Sequence, residues 1–372
     1  MKLTAKVKLT PTEAQADSLK RTLEKANAAC DYISQRAWDT RTFGKFQIQK
    51  LVYEDVRAKF DLTAQVVIRC IAKVADAYKL DKKTKRAFKP HGSIAFDARI
   101  LSWKLDKNEV SLWTVDGRQK IGFVCHPRAK ELLSGDRGES NLCWIKGKFY
   151  LFTACEVNEP DEKDVADFLG VDLGVTNIAV DSDRAIHSAK VVNHVRFRHR
   201  RLRSKLQSKG TKSSRRRLKK LSGKERRFAT WVNHNISKSI VQKAKDTDRG
   251  VALEDLGGIR ERVTVRKAQR AQWHSWSFFQ LRSFISYKAQ QMGVKVVAVD
   301  PRNTSRTCPC CGHVDKTNRP TQSQFSCVVC GYSDLADYVA ARNIASRAAV
   351  NRPYISDAIP RDSSATAKAP VL

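Results

Sequence analysis

Residues 168–180 read FLGVDLGVTNIAV, an apolar run broken by one carboxylate, Asp172, and followed by a glycine turn into a second apolar run. A lone charge in an apolar strand is expensive unless backbone N–H groups satisfy it or chemistry uses it, and this stretch alone leaves both readings open. The pattern returns at 250–255, GVALED, where an apolar strand ends in Glu254. A third carboxylate, Asp337, lies in LADYVAARNI at the start of an Ala-rich helix, where the helix dipole favours an anion. After residue 167 the signals run strand, strand, two basic helices, strand, helix, strand, cysteine knuckle, helix, which predicts an α/β layer fold. Carboxylates at the ends of two strands and a helix are placed to converge on two divalent ions, which activate water and stabilise a leaving oxygen in phosphoryl displacement. Hard oxygen ligands select magnesium or manganese over zinc.

Between the second and third carboxylates stand two cysteine pairs, Cys308/Cys311 and Cys327/Cys330, fifteen residues apart and each followed by glycine. The glycine permits the tight turn that lets both thiolates of a pair face one ion. Four thiolates favour zinc in a closed, structural tetrahedron, and a pair of buried disulfides is the competing reading. Cys310 offers a third thiol to the first pair. Only the 308/311 choice leaves Gly312 directly after the second ligand, as Gly331 follows Cys330.

The chain has 372 residues, 41% of them hydrophobic, enough to bury a core in two or three units. Its formal net charge of +32, from 70 basic and 38 acidic residues, points to a polyanionic partner, and nucleic acid fits best. Residues 196–227 alone carry 16 Lys or Arg in 32 positions with a single acid, Glu225. Leu202, Leu206, Leu218 and Leu221 interleave at a spacing that predicts two helices with a buried stripe. One sign at this density repels itself without a counter-charge, which makes Arg200, Arg201, Arg203, Arg215, Arg216, Arg217, Lys219 and Lys220 the candidate phosphate contacts. A membrane surface is the rival polyanion, but no apolar run approaches the roughly 18 residues of a spanning helix. The N-terminus, MKLTAKVKLTPTEAQ, lacks the apolar core of a secretion signal. Cys30, Cys70, Cys125, Cys143 and Cys155 are scattered, as expected of reduced thiols in a cytosolic protein.

In the N-terminal half, residues 2–9 alternate apolar and basic and predict a strand. Thr10-Pro11-Thr12-Glu13 then predicts a helix start with Thr10 as cap and Glu13 completing a capping box; Leu19, Leu23, Ala26, Cys30 and Ile33 follow at helical spacing. Helical patterns continue over about 46–80, and short β-rich runs over 93–157 predict a small β-barrel that the first strand joins. Its Trp103, Trp113, Trp144 and Phe149 read as core before they read as base-stacking platforms. Residues 158–166 form an acidic linker, and residues 351–372, rich in Ser, Ala and Pro, are expected to be disordered.

Residues 167–348 resemble the RuvC nuclease domain of the TnpB family, transposon-encoded RNA-guided nucleases related to type V CRISPR effectors. Gly-Val-Asp172-Leu-Gly resembles the first RuvC motif, Glu254 in Leu-Glu-Asp-Leu the second, and Asp337 in Ala-Asp-x-x-Ala-Ala-x-Asn-Ile the third. The runs ending in Cys308-Pro-Cys-Cys311-Gly and Cys327-Val-Val-Cys330-Gly resemble the family's entry into and exit from its zinc element, and Trp276-Ser-Phe-Phe-Gln-Leu the helix before it. Where the family often has Asn two residues after the third aspartate, this chain has Val339. The resemblance implies a multidomain α+β fold. A wedge β-barrel (1–11 and 91–160) would carry a helical recognition lobe (12–90), ahead of a RuvC/RNase H-like α/β nuclease domain (167–300 and 336–350) with a zinc-binding insertion (301–335). It implies an RNA-guided DNA endonuclease with catalytic Asp172, Glu254 and Asp337 on Mg2+ or Mn2+, and structural Zn2+ at the four cysteines. Guide RNA and double-stranded target DNA would be its partners, in a monomer of the prokaryotic cytoplasm, associated with the nucleoid when bound to DNA. A guided DNA-binding repressor and a compact type V effector are the alternatives; a DNA-strand transposase would need a His-hydrophobic-His and Tyr arrangement that the sequence does not show.

Overall fold

The alternation at the N-terminus becomes strand β1 (Lys2–Leu9), with Leu3, Ala5, Val7 and Leu9 buried and Lys2 and Lys6 facing out. The structure, a computed structural model, describes residues 1–257 and 278–350, which divide into one unit up to Asn158 and a second from Glu159.

In the first unit, helices α1 (Glu13–Asp39), α2 (Lys45–Phe60) and α3 (Ala64–Leu80) follow β1. The expected apolar stripe of α1, from Leu19 to Ile33, is fully buried. Its cap differs from expectation. Thr10 stays with the sheet, its N–H bonded to the Gly122 carbonyl at 2.8 Å, so the helix starts two residues later. Thr12 then accepts the Gln15 N–H at 3.3 Å while the Gln15 side chain accepts the Thr12 N–H at 3.1 Å. The remaining strands are β2 (Ile94–Phe96), β3 (Leu101–Lys104), β4 (Glu109–Thr114), β5 (Gly117–Cys125), β6 (Arg137–Ile145) and β7 (Lys148–Glu156). Helix α4 (Pro127–Ser134), which the strand patterns concealed, stands between β5 and β6. All seven strands pair antiparallel in the order β2-β6-β7-β1-β5-β4-β3, with β1 central between β7 and β5. The two edge strands are consecutive in the chain and joined by residues 97–100, so they lie within about 17 Å of each other and the sheet curls into a nearly closed barrel.

The second unit contains β8 (Phe168–Asp172), β9 (Asn177–Asp181), β10 (Ile186–Ser188), α5 (Lys190–Lys209), α6 (Lys212–Leu221), α7 (Lys224–Asp246) and β11 (Gly250–Glu254). After residue 278 come α8 (Phe278–Met292), β12 (Val296–Val299), a small hairpin of β13 (Gln324–Ser326) and β14 (Ser333–Leu335), and α9 (Ala336–Val350). The basic segment thus makes three helices instead of two, interrupted at Gly210 and Gly223. Of its four leucines Leu206 is buried and Leu202, Leu218 and Leu221 are half-buried, because a hairpin of short helices has fewer neighbours to cover them. Trp276 and the 351–372 tail lie outside the described residues.

The sheet order is β10-β9-β8-β11-β12, with β8, β11 and β12 parallel and β9 and β10 antiparallel. Its core strands are buried on both faces. Leu169, Val171, Val251 and Leu253 pack toward α7 and α8 with Ile240, Val241, Leu281 and Ile285. Phe168, Ala252, Val297 and Val299 pack on the other side with Ile344 and Ala348 of α9. Helix α9 crosses β8 at Gly170, where a Cβ would lie 2.1 Å from the Ala341 carbonyl oxygen and 2.6 Å from the Ala345 nitrogen. Backbone cannot yield as a side-chain tip does, so Gly170→Ala must lift the helix. It is expected to cost about 1–3 kcal/mol or more, read as a lower midpoint in thermal unfolding. A wild-type midpoint would refute the close crossing.

Candidate active site and metal knuckle

Register brings the first two carboxylates together. Strands β8 and β11 run parallel with Gly170 opposite Ala252 and Val171 opposite Leu253, so their last residues, Asp172 and Glu254, stand side by side at the C-terminal ends. Neighbouring strands are about 4.8 Å apart, and alternation turns both side chains toward the α9 face. The third, Asp337, is the second residue of α9, which reaches the same end of the sheet by its crossing at Gly170. All three are half-buried. Burial, then the charge of Glu254, then that of Asp337 push the Asp172 carboxyl well above the usual range, against the opposing pull of Arg319 and the Leu173 N–H. Burial also raises Glu254, although the Thr304 hydroxyl donates to its Oε1 at 2.5 Å and Arg347 and Arg319 pull the other way. Three crowded acids of this kind ionise together when a cation shares them, and their oxygens suit a hard divalent ion.

Two side chains at this site gave no sequence signal. Asn177, at the start of β9, donates from Nδ2 to Asp337 Oδ2 at 2.8 Å. Arg319, between the cysteine pairs, places Nη2 at 3.6 Å from Asp337 Oδ1. Its neighbour Asn318 is fully buried and stitches the loop, donating to the carbonyls of Arg306 and His313 at 3.0 and 3.2 Å and accepting the Val328 N–H at 3.0 Å. Val339 is also fully buried, in a cluster with Cys308, Phe325, Cys327 and Ala336, so that position holds the cysteine element against α9 while Asn177 supplies an amide to Asp337.

The four cysteines Cys308, Cys311, Cys327 and Cys330 place their sulfurs within 4.8 Å of one another. Among the described residues this is the one group of three or more possible ligands so close, so the carboxylates stand further apart than the thiols. Cys308 Sγ lies 3.6 Å from Cys330 Sγ, and Cys311 Sγ 3.6 Å from Cys327 Sγ. A disulfide requires about 2.05 Å, whereas a tetrahedron with 2.3 Å metal–sulfur bonds has edges of about 3.8 Å. The two halves repeat: the N–H of Gly312 bonds the Cys308 carbonyl at 3.0 Å and that of Gly331 the Cys327 carbonyl at 3.1 Å, both glycines at φ +73. That left-handed conformation requires glycine at low cost. Cys310 falls outside the set, exposed, with its N–H directed at Cys308 Sγ. The thiols share protons unevenly. The Cys330 N–H, helped by that of Val329, holds Cys327 down at about 6. Cys330, despite the Tyr332 N–H, is pushed up to about 12 by burial and the adjoining sulfurs. Four thiols this close become four thiolates when a cation takes up their charge, so the set can hold a metal ion.

All eight basic residues singled out on α5 and α6 are exposed, and Arg203 pairs with Glu225 at 3.2 Å. Arg196, His199, Arg203 and Arg226 line a groove of about 500 Å³ between these helices and α7. Phe149 is buried as core, while Trp103, Trp113 and Trp144 are half-buried.

Residues 152–257 match the family model described as "Probable transposase", and residues 278–344 the one described as "Cas12f1-like, TNB domain". A CRISPR-associated endodeoxyribonuclease Cas12f2 from a Micrarchaeota archaeon is 30% identical over 310 residues, 73% of this chain and 57% of that protein. The putative RNA-guided DNA endonuclease InsQ of Escherichia coli is 28% identical over 246 residues, 60% of each chain. The chain spans between 29% and 60% of the length of the curated relatives it matches most strongly. Among solved structures, a Cas12f1–sgRNA–target DNA complex matches with a TM-score of 0.58 at 17% identity, over 89% of this chain and 81% of that one, a likeness of fold.

Proposed function

We propose, for a chain related to the TnpB and Cas12f proteins, that it is an RNA-guided DNA endonuclease whose cleavage site is Asp172, Glu254 and Asp337. The register of β8 and β11 carries this reading. It sets two carboxylates side by side at the strand ends under the first turn of α9, which supports reading the unit as a RuvC/RNase H-like nuclease. A pair of divalent ions, Mg2+ or Mn2+, would supply the water activation and leaving-oxygen stabilisation of phosphodiester hydrolysis. Asp172 and Glu254 hold their oxygens on one face for such ions, and Asp337 closes the set from α9 with its orientation fixed by Asn177. Arg319 brings its guanidinium to the rim beside Asp337, able to meet a phosphate oxygen.

The four cysteines would take Zn2+ as a structural ion, since soft thiolates in a tetrahedron select it. The exposed arginines and lysines of α5 and α6 would follow a phosphate backbone. The barrel of the first unit is read as the wedge, with α1 to α3 as the recognition lobe that holds guide RNA and target duplex. Residues 301–335 are the zinc insertion within a nuclease domain of 167–300 and 336–350. Among the described residues no helix is long and apolar enough to cross a membrane. Its prokaryotic, nucleic-acid-acting relatives are the ground for reading the chain as a protein of the prokaryotic cytoplasm, taken here as a monomer. The test is to purify the protein from its host, sequence the RNA that accompanies it, and supply duplex DNA matching that RNA with magnesium. Cleavage of the matching duplex and not of a scrambled one is expected; guide-dependent binding with no cleavage would favour a repressor instead.

A further inference from the structure

Residues 300–307 connect β12 to Cys308 as a strap across the end of the sheet. Thr304, at its middle, is 3% exposed, and its hydroxyl donates to Glu254 Oε1 at 2.5 Å, with the Pro301 carbonyl 3.1 Å away as a second acceptor. The strap is in turn tied to α9. Asn343 is 6% exposed and spends both amide hydrogens on it, to the carbonyls of Thr304 at 2.7 Å and Thr307 at 2.8 Å. One turn further along, Arg347 donates to the carbonyls of Asp300 at 2.8 Å and Arg302 at 2.7 Å. Four strap carbonyls are therefore held by the helix whose first turn carries Asp337.

A glutamate at a strand end has three side-chain torsions, the last of them broad, so strand register alone does not orient its carboxylate. We propose that Thr304 is the positioning residue of Glu254, and that Asn343 and Arg347 make the strap a fixed spacer between Glu254 and Asp337. One hydrogen-bonded chain then runs from Glu254 through Thr304 and Asn343 into α9, holding one Glu254 oxygen and presenting the other to a cation. The inference rests on reading the three carboxylates as a divalent-ion site.

The test uses the full-length, zinc-loaded chain and titrates Mn2+, following free Mn2+ by its paramagnetic resonance signal. Thr304→Val keeps the shape and loses the hydroxyl; it is expected to weaken Mn2+ binding by about 10- to 100-fold, as removal of a ligand's hydrogen-bond partner does. Thr304→Ser restores the hydroxyl and is expected to bind close to wild type, and zinc content should be unchanged in both. If Thr304→Val loses zinc, the strap has been disturbed and Thr304→Ala is read in its place. Wild-type Mn2+ affinity in the variant without the hydroxyl overturns the proposal. Glu254→Gln separates the two readings: if it loses Mn2+ while Thr304→Val keeps it, the positioning role alone fails, and if Glu254→Gln also keeps Mn2+, both fall together.

Discussion

Asp172→Asn is expected to eliminate DNA cleavage while leaving nucleic-acid binding intact. Loss of one ligand from the proposed ion site would remove about 4 kcal/mol of transition-state stabilisation, or about 10³-fold in rate. The basic residues of α5 and α6, on other elements, keep their charge. A second effect has the opposite sign. In the folded, magnesium-free chain the Asp172 carboxyl is raised by burial and by Glu254 and Asp337, so its ionised form is penalised relative to the unfolded chain. That penalty is absent below the unfolded value, about 3.9, and grows as pH rises toward the raised folded value. Asp172→Asn should therefore melt higher than wild type at neutral pH with zinc bound and no magnesium, and the difference should vanish near pH 4. Retained cleavage would remove Asp172 from the ion site, and equal melting at neutral pH would contradict its burial among acids.

If the four cysteines hold zinc as proposed, Cys327→Ser is expected to lose it and Cys310→Ser to keep it. Cys327 is 3% exposed and packs with Phe325, Ala336 and Val339, so its loss opens the cluster that seats the knuckle on α9. Structural zinc sites contribute on the order of 10–16 kcal/mol to the folding of the segment they close, more than these few side chains replace. Arg319 and the first turn of α9 depend on the same segment, so cleavage should fall with the zinc. Metal analysis and hydrogen exchange over residues 308–337 read the two effects separately. Unchanged zinc in Cys327→Ser would take that residue out of the site; lost zinc in Cys310→Ser would put the wrong thiol in it.

The three carboxylates and the four cysteines were legible because each is a local violation: a charge closing an apolar strand, or a repeated Cys-x-x-Cys-Gly. The stripe of α1 and the alternation of β1 were legible for the same kind of reason, since periodicity is read within one element. The cap of α1 lies two residues beyond the position its sequence suggests, because Thr10 and Thr12 are equivalent as side chains and a hydrogen bond from Thr10 to Gly122, far along the chain, decides between them. Helix α4 and strand β10 leave no pattern in the sequence because they span 8 and 3 residues, too short to show a period. Asn177, Thr304, Arg319 and Asn343 carry no local anomaly, as a polar residue in a loop or on a helix face is ordinary.

Composition and local pattern sufficed to single out the basic helices, the four clustered cysteines and the three acids as candidates, since each depends on residue type and short spacing. Bringing the acids together depended on quantities no short window contains. These are the pairing of β8 with β11, some eighty residues apart, and the approach of α9 to within backbone contact of Gly170. The sheet's register turns two separate strand ends into neighbours, and the missing side chain of one glycine lets the third acid close over them.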